Sequence, residues 1–250
     1  PFIPEKSNWR FETVPQKGLN GRPGYQPRGR GLGGSSAINA MVYIRGHRWD
    51  YDHWAALGAA GWSYEEVLPY FRLSEGNARL PEGFHGDFHG HEGPLQVSDP
   101  RSDSPLHAAF LEAARQSGHA VNPDFNGARQ EGLGVYQVTQ VGGERCSVAR
   151  AYLLPHLGRA NLAVRTGALV RRVLFEGRRA VGVEFEQGGH VRQVRARREV
   201  IIAASSINSP KLLQMSGIGA PEVLKAAGIE VAHALPGVGE NLQDHLEIYF

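Results

Sequence analysis

The sequence has a single cysteine, Cys146, in 250 residues. One thiol excludes an intramolecular disulfide framework and gives no pointer to an oxidising compartment. No run approaches the roughly 18 to 20 apolar residues that cross a bilayer as a helix. The opening Pro1-Phe2-Ile3-Pro4-Glu5-Lys6 lacks the basic and apolar regions of a secretory signal. A cytoplasmic setting is therefore expected, with peripheral contact to a membrane left open. No methionine stands at position 1, which points to removal of something upstream. A strong charge of either sign is also lacking: the formal net charge is +2, too small to imply a nucleic-acid partner. What is present suffices for a folded protein. With 41% hydrophobic and 21% charged residues, the chain can bury a core and build one large or two small domains.

Residues 1 to 30 mix Gly, Pro and polar residues without a period of two or 3.6, and read as extended loop. From Gly33 to Val42 an apolar stretch predicts a glycine turn feeding a buried helix start. Ser63 and Glu66 form a capping box for a helix containing Val67, Leu68, Tyr70 and Phe71, which Pro69 should kink. Ser104 and Pro105 open the clearest helix, with an apolar stripe of Leu106, Ala109, Phe110 and Ala113 and a stop at Gly118. Alternation over Leu169–Phe175, Ala180–Glu186 and His190–Ala196, with Gly-containing breaks between, predicts a three-stranded antiparallel meander. Val200-Ile201-Ile202-Ala203-Ala204 reads as a strand buried on both faces of a parallel sheet. Ser209 and Pro210 are expected as N-cap and N1 of a helix ending at Ser216-Gly217. A further helix is expected from Pro221 to about Ala227, with Gly228 as its stop. There is no internal repeat.

Gly29-Arg30-Gly31-Leu32-Gly33-Gly34 has the letters G-x-G-x-x-G, but a dinucleotide-binding turn needs an apolar strand immediately before it. Here Arg22-Pro23-Gly24-Tyr25-Gln26-Pro27-Arg28 precedes, so the Rossmann reading is disfavoured. Bare glycine backbone can approach a flat ligand and offer amides to carbonyl or phosphate oxygens. On physical grounds alone, cofactor contact and a tight structural turn both remain open. His85, His89 and His91, with Asp87 and Glu92, have a metal-like spacing, yet the sequence shows no residue to orient their rings, and a glycine-rich surface loop is the favoured reading. The arginines from Arg171 to Arg198 are interleaved with acids and lack aromatic partners, which favours a solvated sheet face over a nucleic-acid surface. His245 beside Asp244 reads as a structural hydrogen bond.

The stretch Gly29 to Tyr43, with Gly31-Leu32-Gly33-Gly34-Ser35-Ser36-Ala37-Ile38-Asn39-Ala40-Met41-Val42 at its heart, closely resembles the first signature of glucose–methanol–choline oxidoreductases. Trp49-Asp50-Tyr51-Asp52-His53-Trp54 resembles the family segment next to that signature. Ser205 to Gly219 resembles the second signature, and Leu235 to His245 the segment after that. The resemblance covers nearly the whole chain. Asp124-Phe125-Asn126-Gly127 and Arg150-Ala151-Tyr152-Leu153 are most similar to the choline and alcohol dehydrogenase branch.

This resemblance implies an α/β fold with α+β elements: a partial FAD-binding domain, containing the meander and the buried parallel-sheet strand, plus part of a substrate-binding domain. Residues 1–93 and 160–235 would belong to the first, and 94–159 and 236–250 to the second. It implies flavin contacts from Gly31, Gly33, Gly34, Ser35, Asn39, Ala40, Met41 and Val42, with the backbone of Val170 meeting the adenine. Family members that attach FAD covalently use a histidine where this chain has Ile38, so noncovalent FAD is implied. The family usually has glycine at the position of Ser205. The implied reaction is oxidation of a primary alcohol by hydride transfer to flavin N5, with oxygen or a quinone as electron acceptor. The family's N-terminal pyrophosphate-binding unit and its catalytic pair, a histidine with a second histidine or an asparagine, lie outside the chain, so no catalytic residue is assigned and the isolated chain should not turn over. A truncated or degenerate homologue acting as a non-catalytic binding or scaffold module is the alternative.

Overall fold

A computed structural model describes residues 5–79, 86–102, 104–244 and 247. The chain divides into two compact units, one to Ala163 and one from Val164. His85 and His245 lie outside the described residues.

The first unit begins with an arm that folds on itself. β1 (Phe11–Glu12) pairs antiparallel with β2 (Tyr25–Gln26), and Trp9 N donates to Arg28 O at 2.9 Å. The buried Asn8 closes the arm's base, its Oδ1 accepting from the amides of Arg10 and Arg28. The expected loop is thus an irregular hairpin. Its strands are two residues long and interrupted by prolines, which erases the alternation that would have announced them.

The glycine turn leads into one short 3-10 turn, Gly34–Ala37, and the chain then runs irregular and part-exposed to His47. The expected buried helix start is absent there. α1 (Arg48–Ala56) comes next, capped by His47 and Asp50: His47 Nδ1 accepts from Trp49 N, and His47 N donates to Asp50 Oδ2 at 2.9 Å. α2 (Tyr64–Ser74) starts at the expected Ser63–Glu66 capping box, with Pro69 inside it. Tyr64 N donates to Asp52 Oδ1 at 2.9 Å, and Tyr51 meets Phe71 edge-on at 5.6 Å, joining the two helices.

α2 runs directly into β3 (Glu75–Asn77), fully buried and parallel to β4 (Leu95–Val97). The 86–93 loop lies hard against this junction. A Cβ on Gly90 would stand 1.9 Å from Arg72 O, so only glycine permits the approach. α3 (Pro105–Gln116) has Ser104 and Pro105 where expected. Its stripe does not form core, however: Leu106 is 74% and Phe110 46% exposed, and the helix buries Ala114 instead. β5 (Gln140–Val141) and β6 (Glu144–Arg145) form a tight hairpin. Just before it, Val138 bridges Val42 on one side and Ser98 on the other.

In the second unit β7 (Ala168–Glu176), β8 (Arg179–Gln187) and β9 (His190–Arg195) form the expected antiparallel meander. Val173, Val181 and Phe185 form its buried side. Arg171–Glu186, Arg172–Glu184 and Arg195–Glu176 pair across the exposed side, which is the solvated face expected of these arginines. α4 (Ser205–Met215) is fastened to the sheet by Ser216, whose Oγ accepts from Val173 N at 2.8 Å and donates to Leu212 O. β10 (Ile218–Gly219), α5 (Pro221–Ala226) and β11 (His233–Ala234) complete a short parallel crossover, with Leu224 in the core and Gly228 as the expected stop.

Two expectations for this unit are corrected. Val200 to Ala204 is not a strand, and Ile201 is 79% exposed. A strand needs neighbours for its amides and carbonyls, and among the described residues none pairs with this run. α4 begins at Ser205 rather than at Pro210. Ser209 Oγ accepts from Ala204 N at 3.0 Å, so it reaches back to the helix start from inside the helix, and Pro210 falls in the second turn. Among the described residues no helix is long and apolar enough to cross a membrane.

Ser205, where the resemblance implies a glycine, has φ +81. A left-handed conformation costs an L residue roughly 1–2 kcal/mol. The weak 3.3 Å bond from Ile207 N to Ser205 Oγ returns part of that. Ser205→Gly is therefore expected to raise the stability of this unit by about 1 kcal/mol, read as a higher denaturant midpoint. A lowered midpoint would show that the hydroxyl cap outweighs the strain.

Candidate functional site

The glycine run divides into two pairs by surroundings. A Cβ on Gly29 would lie 2.0 Å from Gly34 O, and one on Gly33 would press Ala149 Cβ at 3.3 Å. Gly29 thus serves packing within the unit, and Gly33, at φ +87, needs glycine for its backbone conformation as well. Gly31 (φ +135) and Gly34 (φ +52) need glycine for backbone conformation, and a Cβ on either would meet nothing within 4 Å. Their bare faces are open. Hydroxyls stitch the turn: Ser35 Oγ accepts from Gly29 N, Ser36 Oγ donates to Gly33 O, and Ser36 Oγ accepts from Val148 N.

Past Ile38 the chain reverses at Met41, a non-glycine residue at φ +64. Met41 N donates to Asn39 Oδ1 at 3.1 Å, and Met41 O accepts from Thr139 N at 2.8 Å. Tyr43 N donates to Gln137 O at 2.8 Å. Val42, between these two anchors, faces the other way and is 43% exposed. Among the described residues, the amides of Ala40 and Val42 donate to no protein acceptor. Strain of this kind gathers at ligand clamps. A planar ligand bearing carbonyl oxygens fits this edge: bare glycine faces, two free amides and little side-chain bulk. Val170 belongs to the second unit, in β7, where it opposes Phe185 beside a register irregularity that ends at Arg172. The structure thus brings Gly31, Gly33, Gly34, Ser35, Asn39, Ala40, Met41 and Val42 onto one contiguous stretch of the first unit.

Behind this edge lies a buried polar cluster that sequence reasoning missed. Glu75 is wholly buried; its Oε2 accepts from Arg45 Nη2 at 2.6 Å and from Gly90 N at 3.2 Å. Arg45 Nη1 donates to Phe88 O at 2.7 Å, and Arg45 N to Asn126 Oδ1 at 2.8 Å. Asn126 Nδ2 reaches Tyr43 O. Asn77 Nδ2 donates to Glu75 Oε1 and to Gln137 Oε1, both at 2.8 Å. His89, 2% exposed, sits between two carboxylates, with Nδ1 2.9 Å from Glu75 Oε1 and Nε2 3.0 Å from Asp124 Oδ2.

Of the metal-like histidine set, His91 is exposed and pairs with Glu92, and among the described residues no metal-holding cluster occurs. The surface-loop reading is corrected for His89, which is a core residue. Its signal in the sequence was the flanking pair Phe88 and Gly90, an aromatic anchor and a residue permitting close approach. A cavity of about 30 Å³ beside Arg45, His47, Arg48 and Asn126 has room for about two waters, far too little for an alcohol substrate.

Burial opposes a charged His89, but its hydrogen bonds with Asp124 and Glu75 outweigh that, and its pKa is raised above the ordinary 6.5. Burial also opposes the Asp124 carboxylate, yet the bond with His89 holds its pKa below the usual value. Burial pushes the Tyr43 phenol up to about 12.

Residues 12–247 match the family model for GMC oxidoreductase, and the chain belongs to the GMC oxidoreductase family. Within it, the chain is 51% identical over 249 residues to an oxygen-dependent choline dehydrogenase of Brucella anthropi, covering 100% of this chain and 44% of that protein. It is 51% identical over 245 residues to the human mitochondrial choline dehydrogenase, covering 98% and 41% respectively. Among solved structures, an FAD-dependent oxidoreductase from Chaetomium thermophilum superposes with TM-score 0.87 at 33% identity, over 94% of this chain and 43% of that one. Pyridoxine 4-oxidase from Mesorbium loti superposes with TM-score 0.85 at 34% identity, over 92% and 45%. The chain thus spans less than half the length of these relatives.

The ionic cluster predicts a two-sided pH profile. A raised His89 pKa gives stability that is full below about pH 6.5 and is lost as pH rises through the folded-state value. A lowered Asp124 pKa gives stability present above the ordinary carboxylate value and lost as pH falls through the folded one. Thermal midpoints measured across pH should fall on both limbs, and His89→Gln should flatten the alkaline one. Glu75→Leu, which leaves Arg45 buried without its anion, should cost about 3–5 kcal/mol in a denaturant titration. A loss below about 1 kcal/mol would place the cluster at a wet surface.

Proposed function

We propose that this chain supplies flavin contacts to an FAD-dependent alcohol oxidoreductase of the choline dehydrogenase type, which oxidises a primary alcohol. The observation that carries the reading is the edge at Ala40 and Val42: two amides without a protein acceptor among the described residues, beside bare glycine backbone, in a chain 51% identical to choline dehydrogenases. Bound FAD supplies the hydride acceptor at N5. This chain's part is to orient and to exclude water. Gly31, Gly33, Gly34 and Ser35 form the face that keeps side chains out of the ring's plane. Ala40 and Val42 would present amide donors to its carbonyl edge, where preorganised N–H groups favour negative charge, and Asn39 and Met41, whose own amides are bonded within the chain, would hold the direction of those donors. Val170, in the second unit, would offer its backbone to the adenine. Ile38 offers no nucleophile, so FAD is held noncovalently. Residues 1–93 and 160–235 belong with the FAD-binding domain, and 94–159 and 236–250 with the substrate domain. Oxygen or a quinone takes the electrons.

The test uses the polypeptide carrying this segment together with the remaining length found in its relatives. It should purify yellow, and an alcohol such as choline, added anaerobically, should bleach the flavin band. Gly34→Val, which strains a φ of +52 and fills the open face, should weaken FAD retention by about tenfold or more. A colourless product that takes up no added FAD would sink the assignment and leave the scaffold alternative.

A further inference from the structure

The reversal at Met41 needs a cause. A φ of +64 disfavours any L side chain, and methionine brings no local polar group to compensate. The bond that holds it comes from Asn39 Oδ1, which accepts from Met41 N at 3.1 Å. Asn39 is itself exposed, and an exposed amide side chain does not keep one rotamer unaided.

The same oxygen accepts a second bond. Arg145 Nη1 donates to Asn39 Oδ1 at 2.7 Å and to Ser36 O at 3.1 Å, so one guanidinium nitrogen ties Asn39 to the 3-10 turn that precedes the reversal. Arg145 is delivered by the β5–β6 hairpin, and the strand entering that hairpin bonds Met41 O and Tyr43 N through Thr139 and Gln137. Turn and brace therefore share one support. Arg145 O in turn accepts from Arg150 Nη1 at 3.4 Å, and Arg150 pairs with Glu144 at 2.8 Å. A surface arginine with only solvent to answer to would not converge on an oxygen already engaged by a strained amide.

We infer that Arg145 is a positioning residue for the flavin edge: through Asn39 Oδ1 it locks the left-handed Met41 and so fixes the direction of the Ala40 and Val42 amides. The inference rests on the proposed flavin contact. It gives the arginine no part in the transfer itself.

The experiment compares wild type, Arg145→Met, Asn39→Ala, Met41→Gly and their doubles in the FAD-loaded full-length polypeptide, reading FAD dissociation by flavin fluorescence and the visible flavin spectrum. Arg145→Met should weaken FAD binding by about tenfold, the factor equivalent to one left-handed non-glycine residue. Asn39→Ala should do the same, and the two together should lose no more than either alone. Adding Met41→Gly to Arg145→Met should restore most of the affinity and the wild-type spectrum, because glycine adopts this conformation without a brace. Unchanged FAD binding in Arg145→Met, additive losses with Asn39→Ala, or failure of Met41→Gly to rescue would each overturn the inference while leaving the flavin reading intact. A wild-type polypeptide that holds no flavin would overturn the reading itself.

Discussion

The buried carboxylate of Glu75 is the constraint on which the first unit depends. A charge withdrawn from water is tolerated only when it is paired and hydrogen-bonded, and the partners of Glu75 converge from separate stretches of chain. Arg45 arrives from the irregular segment after the glycine turn, His89 and Gly90 from the loop before β4, and Asn77 from the end of β3. Asp124 and Asn126 extend the set through His89 and Arg45. Among the described residues the unit has only short strands and few wholly buried apolar side chains. Apolar burial alone would therefore specify its loops poorly. The polar cluster supplies the register instead, because any other arrangement leaves a carboxylate, a guanidinium or an imidazole without its partner.

That register reaches the candidate flavin edge in few steps. Arg45 N and Tyr43 O both engage Asn126, and Tyr43 N engages Gln137, whose side chain is bonded to Asn77. The backbone from Tyr43 to Arg45 is thus held by the Asn126 side chain and by the Gln137 carbonyl, and the Gln137 side chain is tied through Asn77 to Glu75. Among the described residues the amides of Ala40 and Val42 have no protein acceptor. A polar core of this kind suits an edge that must be stiff without being bulky.

The range of each interaction decided whether it could be read from the sequence. The meander was legible because alternation and Gly-containing turns are local signals, and β7 to β9 close on themselves. The α2 and α3 starts were legible because the capping box at Ser63 and Ser104-Pro105 lie within one turn. The stripe on α3 and the run Val200 to Ala204 were misread for a shared reason: apolarity states that a surface is to be covered, not which segment covers it. Ser209-Pro210 mimicked a helix start because serine before proline is a good cap, yet Ser209 reaches back to Ala204 from within the helix. His89 was hidden because its partners lie 14 and 35 residues away, at separations no periodicity records. The family itself was legible because its two signatures are long and specific.

The two signatures also treat glycine's conformation differently. At Gly31 and Gly34 the chain has the residue that positive φ favours, whereas at Met41 and Ser205 it does not. Both exceptions are answered by side-chain oxygens nearby: Asn39 Oδ1 caps Met41 N, and Ser205 Oγ accepts from Ile207 N. The answers differ in strength. The bond at Met41 is shorter and its acceptor is braced by a guanidinium, while the one at Ser205 is 3.3 Å long and unsupported by any charge. Strain that is braced in this way holds a direction, because the bonds fixing it oppose each departure from it. Strain that is barely answered mostly lowers stability. By that criterion Met41 is suited to the proposed flavin edge, whereas the strain at Ser205 is only tolerated by the fold.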